Sequence, residues 1–388
     1  MSEQSNSKGN RRDMASDPSE TNEPVREVNY RHSAQFLPIL EHLGCSLLVS
    51  TYAAGKVVAV GVDDGKLSLG FSNFQQAMGI AVGESGLAIG GPNLVWFLRD
   101  AKSLACEIEP VGKHDRGFLT RESFVTGNIQ VHEMSWADDG ELWVVNTLFS
   151  CLSTLHEDYN FVPRWQPPFI DELAPQDRCH LNGMCMHGGK PKYVTALGTS
   201  NTSRGWKENK SDGGVLMDVE SSEIVARGFC MPHSPRMHDG KLFVLDSGHG
   251  RLVTVDPANG KVETVADYPG YGRGMCFRGQ FAFIGMSKAR ETSVFGGVPI
   301  CEDRSKMRCG VVVVDLLAGR SVAYLEFETG VEELFDVQVL ADVKHPALRG
   351  PFTNADQQTP VWVVPPPGQV GELGRRSKSG TVSRRSDR

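Results

Sequence analysis

Between residues 34 and 345 the chain is a succession of short apolar runs, each closed within a few positions by a turn-forming pair. SLLVST, KVVAVGV and KLSLGF come first, followed by GIAV, GLAIGG and LVWFL. EMSWADDGELWVVN, GKLFVLDSGHGRLVTVDPANGKVETV and CGVVVVDLLAGRSVAYLEF continue the series. Alternation of apolar and polar side chains over four to eight residues marks β-strands, because successive side chains of a strand point to opposite faces. Asp139-Gly140, Asp239-Gly240 and Asn259-Gly260 supply the positive φ angles that tight hairpins need. No stretch carries the sustained 3.6-residue period of a long helix. The pattern predicts an all-β protein.

The strands group into units. Aligned on the first strand, the units begin QAMGIAV at Gln76, HEMSWAD at His132, HLNGMCM at His180, HSPRMHD at His233 and YGRGMCF at Tyr271, at spacings of 56, 48, 53 and 38 residues. Such spacings suit the four-stranded blades of a β-propeller with loop insertions. Ahead of Gln76 there are only three strands, at 46–51, 57–62 and 67–72, while one unpartnered strand, ELFDVQVL at 333–340, follows the last unit. Pairing that strand with the first three completes a sixth blade and removes an exposed edge. The expected fold is therefore a single six-bladed propeller over residues 34–345, closed by its C-terminal strand. Two separate β-sandwiches are the competing reading, and they leave the lone strand unexplained.

Composition narrows the setting. Residues 1–33 are polar and aperiodic, so disorder is expected there. Residues 346–388 begin extended and proline-containing and end as a disordered basic tail, whose last 18 residues carry six Arg/Lys against Glu372 and Asp387. A net charge of −7 argues against a general nucleic-acid binder, and no apolar run approaches the roughly 18 residues of a membrane span. The N-terminus has no apolar signal region. Nine scattered cysteines without a CxxC pair form neither a disulfide framework nor a zinc ribbon, and point to reduced thiols in a cytoplasmic protein. Cys179 beside His180, and Cys301 and Cys309 flanking a basic loop, are the candidates for reactivity.

The candidate chemistry follows from the repeat. Innermost strands of a propeller all start on one face, so Gln76, His132, His180, His233, Tyr271 and, by a looser alignment, Glu333 should ring the channel mouth. The leading reading is an enzyme in which three imidazoles, His132, His180 and His233, hold one divalent metal, Zn, Fe or Mn, with Glu333 as a fourth ligand or an orienting acceptor, for hydrolysis, elimination or oxygenation of a small polar or anionic substrate. Alternatively a histidine acts without metal as general acid or base alongside Tyr271 and Arg273, in a lyase or isomerase. A third reading is a non-enzymatic module whose looped face docks a protein, peptide or glycan. Either enzyme would take a small polar or anionic substrate, gripped by a cationic pocket drawn from Arg236, Arg273, Lys207, Lys210, Lys288 and Arg290, with Asn182, Asn146 and Asp246 nearby. The insertions at 197–214 and 285–310 and the segments 113–131 and 165–180 fall on the same face, with Trp206 and Phe295 as lid aromatics. His249 also faces that side, His187 and His238 sit at the far turns, and His32, His42 and His345 lie outside the ring. No P-loop, dinucleotide-binding GxGxxG or nucleophile elbow is present, so no nucleotide cofactor is expected.

The stretches WVVNTLFSCLSTL, FVPRWQPPFI, DRCHLNGM, GWKENKSDGGVLMDV, MPHSPRMHDGKLFVLDSGHG and ELFDVQVL together resemble an uncharacterised, mainly bacterial family of conserved hypothetical proteins, a domain of unknown function. The resemblance spans roughly residues 35–345 and implies a β-propeller-like domain without implying an activity. Peptidyl-hydroxyglycine lyases and carotenoid oxygenases are similar only in setting blade histidines around an axial metal. Sugar-lactone hydrolases use acidic and amide ligands instead, and a shared fold does not transfer function.

Overall fold

The computed structural model of the protein describes residues 27–288 and 296–366. Six sheets of at least four strands each, antiparallel except for one edge strand, stand in a ring. In ring order their innermost strands are Asp336–Ala341, Ile80–Gly83, Val131–Trp136, Leu181–His187, Pro232–His238 and Tyr271–Arg278. These belong to blades I to VI, and each packs against the next until Tyr271–Arg278 meets Asp336–Ala341. The protein is a six-bladed β-propeller.

Blade I is the closure. Its inner strand, Asp336–Ala341, pairs antiparallel with Cys45–Thr51, from Ser50 opposite Asp336 to Cys45 opposite Ala341. Chain segments about 290 residues apart are thus locked together, and neither blade I nor blade VI is left with an open inner edge. Cys45–Thr51 is buried at every position, whereas the outermost strand of the same blade, Lys66–Asn73, is mostly half-exposed. The second strands of the blades, Cys45–Thr51 among them, are covered on both faces by the neighbouring blades. They therefore carry near-continuous apolar runs, and clean alternation survives only at the rim.

The domain boundaries shift outward. Tyr30–His32 adds a fifth strand to blade VI against Arg320–Phe327, and Pro346–Arg349 pairs in parallel with Arg116–Leu119 of blade II. Segments expected to be tail therefore belong to the fold, because both cover strand edges. Residues 350–366 run along blades I and II without regular structure. There the Asp356 carboxylate accepts from the Asn73 N–H (2.8 Å), and Phe352 packs edge-on against Trp96. Among the described residues one α-helix, Phe36–Leu43, buries Phe36, Leu37 and Leu40 against blades I and VI and ends at Gly44 in the left-handed conformation. Among the described residues no helix is long and apolar enough to cross a membrane.

One irregularity recurs. In blades III, IV, V and VI the inner strand carries an extra residue near its start, seen as a register shift opposite Val144–Asn146, at Leu181–Gly183, at His233–Arg236 and at Arg273–Met275. A bulge turns the following side chains to a new direction. In blade VI the bulged residue is Gly274 at φ 71°, where an added Cβ would lie 2.4 Å from the Val337 backbone nitrogen. The closing strand runs that close, so only glycine fits.

Candidate active site at the channel mouth

The innermost strands deliver the aligned residues to one end of the channel. His132 and His180 meet edge to face, ring centroids 4.8 Å apart, and Phe335 covers the other side of His132 at 5.0 Å. His233 stands edge-on to Tyr271 at 5.5 Å. Arg273 lies over both the Tyr271 and Phe335 rings, at 5.3 and 5.1 Å, and its Nη1 donates to Glu333 at 2.8 Å. Gln76 joins the ring through Tyr52, to which its Nε2 donates at 3.2 Å, and Tyr52 in turn packs on Phe335. His180, Gln76 and the residues two places before His132 and His233 (Gln130 and Met231) all have positive φ, an uncommon conformation for residues other than glycine. The chain bends sharply at the starts of blades II to V, which aims the imidazoles inward.

Each imidazole is held by Nδ1. His180 donates to Asp177 Oδ1 (2.8 Å), while Asp177 Oδ2 accepts from the Trp206 indole (3.1 Å). His233 Nδ1 lies 2.9 Å from the Met231 carbonyl, which can only accept, so the proton is on Nδ1. Thr147 Oγ1 gives its proton to the Leu181 carbonyl and therefore accepts from His132 Nδ1 at 2.8 Å. In every case Nε2 is left for the site, and the buried Nε2 of His233 has no hydrogen-bond partner. Burial, with the nearby charges of His180 and Arg273, holds His132 well below the usual imidazole range. His233 is lowered likewise by burial, Arg273 and His180. Burial pushes the Tyr271 phenol upward, so it remains a proton donor at neutral pH.

Thr147 belongs to a set that sequence reasoning missed. Ser50, Thr147, Ser247 and Ser287 stand at or just beyond the ends of second strands, and their hydroxyls donate to Met78, Leu181, Gly272 and Leu334 carbonyls on the following blade. The signal was present in LLVS, WVVNT, FVLDS and FIGMS, each an apolar strand ending in a hydroxyl. Their neighbours Asn146 and Asp246, expected near the site, serve local structure instead. Asn146 accepts from the Phe149 N–H, and buried Asp246 accepts from the Cys230 N–H and pairs with His249 and Arg251.

Two further expected residues are not in the ring. Asn182 sits at the blade IV bulge and is used up there, donating to the Pro232 carbonyl and accepting from Thr195. Arg236 follows the blade V bulge and turns to a deeper layer, pairing with Glu133 and donating to the Met184 carbonyl (3.0 Å). Asp336 belongs to the same layer. Burial and the Glu133 charge raise its carboxyl to about 7.

The blade IV insertion covers the mouth. Trp206 is buried over His180 at 4.6 Å and clusters with Tyr271 and with Val298 and Met307 of the blade VI insertion. Lys207 lies over the Trp206 ring, and Lys210 is near Cys301. Lys288 is half-exposed, with its backbone N–H bonded to Glu332, whereas Arg290 and Phe295 lie outside the described residues. His249 lines a separate cavity of about 290 Å³ beneath the blade VI insertion. His238 stacks on Phe277 at the far face. All nine cysteines are free, and burial raises the Cys179 thiol to about 12 and also raises Cys301 and Cys309, which makes them poor nucleophiles.

Among the described residues no group of three or more His, Cys, Asp and Glu side chains is arranged to hold a metal ion. His233 faces Tyr271 while His132 faces His180, and the Arg273 guanidinium acts on both His132 and His233.

Several solved propellers have comparable chain courses. The nidogen/laminin complex matches at 11% identity and TM-score 0.47 over 77% of this chain and 99% of that one. A protein of unknown function from Bacteroides caccae matches at 9% and 0.48 over 76% and 98%. Virginiamycin B lyase from Staphylococcus aureus matches at 13% and 0.37 over 61% and 71%. No curated protein matches the sequence. Residues 34–348 match the family described as Domain of unknown function (DUF4915), and the chain belongs to that family.

Proposed function

We propose that the protein is a metal-independent acid–base enzyme, a lyase or isomerase, acting at the channel mouth on a small polar anion. The Asp177–His180 pair carries this reading. A carboxylate that accepts from Nδ1–H fixes the ring orientation and leaves the Nε2 lone pair free to take a proton. Beside it, the neutral His132 and His233 add no competing charge. Arg273 has a buried Nε without a hydrogen-bond partner, suited to a substrate carboxylate or a developing enolate oxygen.

In the proposed step His180 Nε2 removes a proton from the carbon next to the substrate's carbonyl or carboxylate, and the electron pair moves onto that oxygen, facing Arg273. The pair then returns. It either expels a leaving group protonated by Tyr271 or the imidazolium, or captures a proton at the neighbouring carbon. The substrate must pass Trp206, so the 197–214 insertion has to open during turnover. The free thiols support a cytoplasmic setting.

A divalent ion on His132, His180 and His233 draws on the same anchored Nδ1 atoms, since ligating imidazoles are oriented that way. The Arg273 guanidinium acts on His132 and His233 and disfavours a further cation beside them, and its ion pair engages Glu333, the expected fourth ligand. Hydrogen–deuterium exchange at carbon separates the readings. A panel of small carboxylates, oxo acids and phosphate esters is incubated with untagged protein in D₂O and followed by NMR. The reading expects exchange that survives chelation and disappears in His180→Ala. Exchange abolished by chelator and restored by one metal overturns it in favour of the ion. The absence of any exchange or product across a panel member that raises the melting temperature overturns both, leaving a binding module.

A further inference from the structure

On the face opposite the channel mouth, blades II and III part to form a groove of about 810 Å³. The parting has a local cause. The inner hairpin of blade II turns through Gly83 and Gly86, and the blade III Trp136 lies so close over Gly83 that an added Cβ would sit 2.8 Å from the indole nitrogen. Phe97 completes the aromatic wall, its centroid 6.2 Å from that of Trp136. The Trp136 Nε1 is buried without a hydrogen-bond partner. Around these rings stand exposed Glu84, Glu122, Asp138 and Arg99, giving three carboxylates against one guanidinium.

A half-buried indole beside a surplus of negative charge fits an arginine- or lysine-bearing peptide. A guanidinium can lie on the aromatic faces, and the carboxylates can receive its N–H groups. Residues 371–388 of this chain have that composition, six Arg/Lys against Glu372 and Asp387. The described chain already passes along blade II, where Phe352 packs on Trp96, and the nine residues from 366 to 375 can span up to about 30 Å. We infer that this groove binds the protein's own basic C-terminal segment, occupying the face away from the acid–base site.

The test uses a fluorescent peptide of residues 371–388 and three full-length proteins, read by anisotropy. One is wild type. The second carries R375Q, R376Q, K378Q, R384Q, R385Q and R388Q, and the third adds E84Q, E122Q and D138N to those changes. The peptide is expected to bind the second protein and to weaken as salt rises. It should bind wild type about tenfold more weakly, for a Kd of about 0.1 mM and a tethered tail at an effective concentration of about 1 mM. It should lose binding to the third. No binding to the second protein overturns the inference, as does binding that the groove substitutions leave unchanged. Equal binding to wild type and the second protein also overturns it, by showing that the tail does not compete. A peptide of the same composition in scrambled order that binds equally well assigns the groove to any basic partner and removes the tail's claim.

Discussion

Acidification sets two buried groups of this channel against each other, and their balance is open to measurement. His132 and His233 are neutral in the folded protein because burial and Arg273 hold them well below the usual imidazole range. In the unfolded chain they titrate near 6.5. Below that pH the unfolded state binds more protons than the native one, so stability falls with falling pH. At pH 5 the unfolded histidine is about 1.5 pH units below its midpoint, which caps the loss at about 2 kcal/mol for each, or about 4 kcal/mol for both. Asp336 acts in the opposite sense. Its folded value of about 7 lies above the unfolded range near 3.9. The native state therefore keeps a proton that the unfolded state has lost, and this contribution is lost as pH rises from about 4 through 7. Between pH 8 and pH 5 it restores about 3 kcal/mol. Glu133, whose carboxyl burial also raises, acts in the same sense as Asp336, so the wild-type profile is flatter than the histidines alone would make it. The assay is urea unfolding at pH 8, 6.5 and 5, followed by tryptophan fluorescence and circular dichroism with coincident transitions. His233→Phe should remove up to about 2 kcal/mol of the acid loss, and Asp336→Asn should steepen that loss by about 3 kcal/mol. A His233→Phe profile running parallel to wild type would refute the argument, because the native imidazole would then take up its proton as readily as the unfolded one.

Other outcomes follow from the same geometry. Gly274→Ala should destabilise by about 3 kcal/mol or more, since the new methyl meets the Val337 and Asp336 backbone at a positive φ, and a lowered melting temperature with early proteolytic release of the closing strand would show it. Thr147→Val keeps the shape but removes both the clasp onto Leu181 and the acceptor for His132 Nδ1. A loss of about 1–2 kcal/mol in unfolding titrations is expected, with a shifted His132 imidazole resonance by NMR. With an aromatic disulfide reagent the folded protein should show one fast thiol, the exposed Cys106, which disappears in Cys106→Ser, while Cys179 reacts only on unfolding.

The ring closure was legible because it is a consequence of strand counting: three strands at one end and one at the other leave a single economical pairing, and Asp336–Ala341 takes it. The convergence of His132 and His180 followed from the same alignment. What stayed hidden was sub-strand geometry. One additional residue in an inner strand changes no hydrophobic pattern that can be read by eye, yet it moves Asn182 into a blade junction and Arg236 into a deeper layer. Lone-pair assignments were also out of reach, because Thr147 matters only through its position against Leu181, a residue on the next blade. The two Asp-x-x-His turns, DRCH and DSGH, were each a visible signal for an oriented imidazole; both aspartates do hold their histidines, at 2.8 and 2.9 Å.

The distribution of irregularity argues that the mouth, rather than the ring as a whole, is where this fold has been bent to a purpose. The inner hairpins of blades I and II keep an unbroken register, and blade I carries the closure. Blades III to VI each carry a bulge in the inner strand, and those blades supply every imidazole of the cluster together with Tyr271 and Arg273. A packed ring gains nothing in stability from buried neutral histidines beside a guanidinium: burial costs the charged forms, and leaving His233 Nε2 without a partner costs an unmade hydrogen bond. The hydroxyl clasps and the Glu133–Arg236 pair hold the blades in place beneath that layer, offsetting part of the cost. Four inner-strand bulges at one end of the ring, with the unpartnered His233 Nε2 beside them, are what the proposed acid–base site requires of the fold.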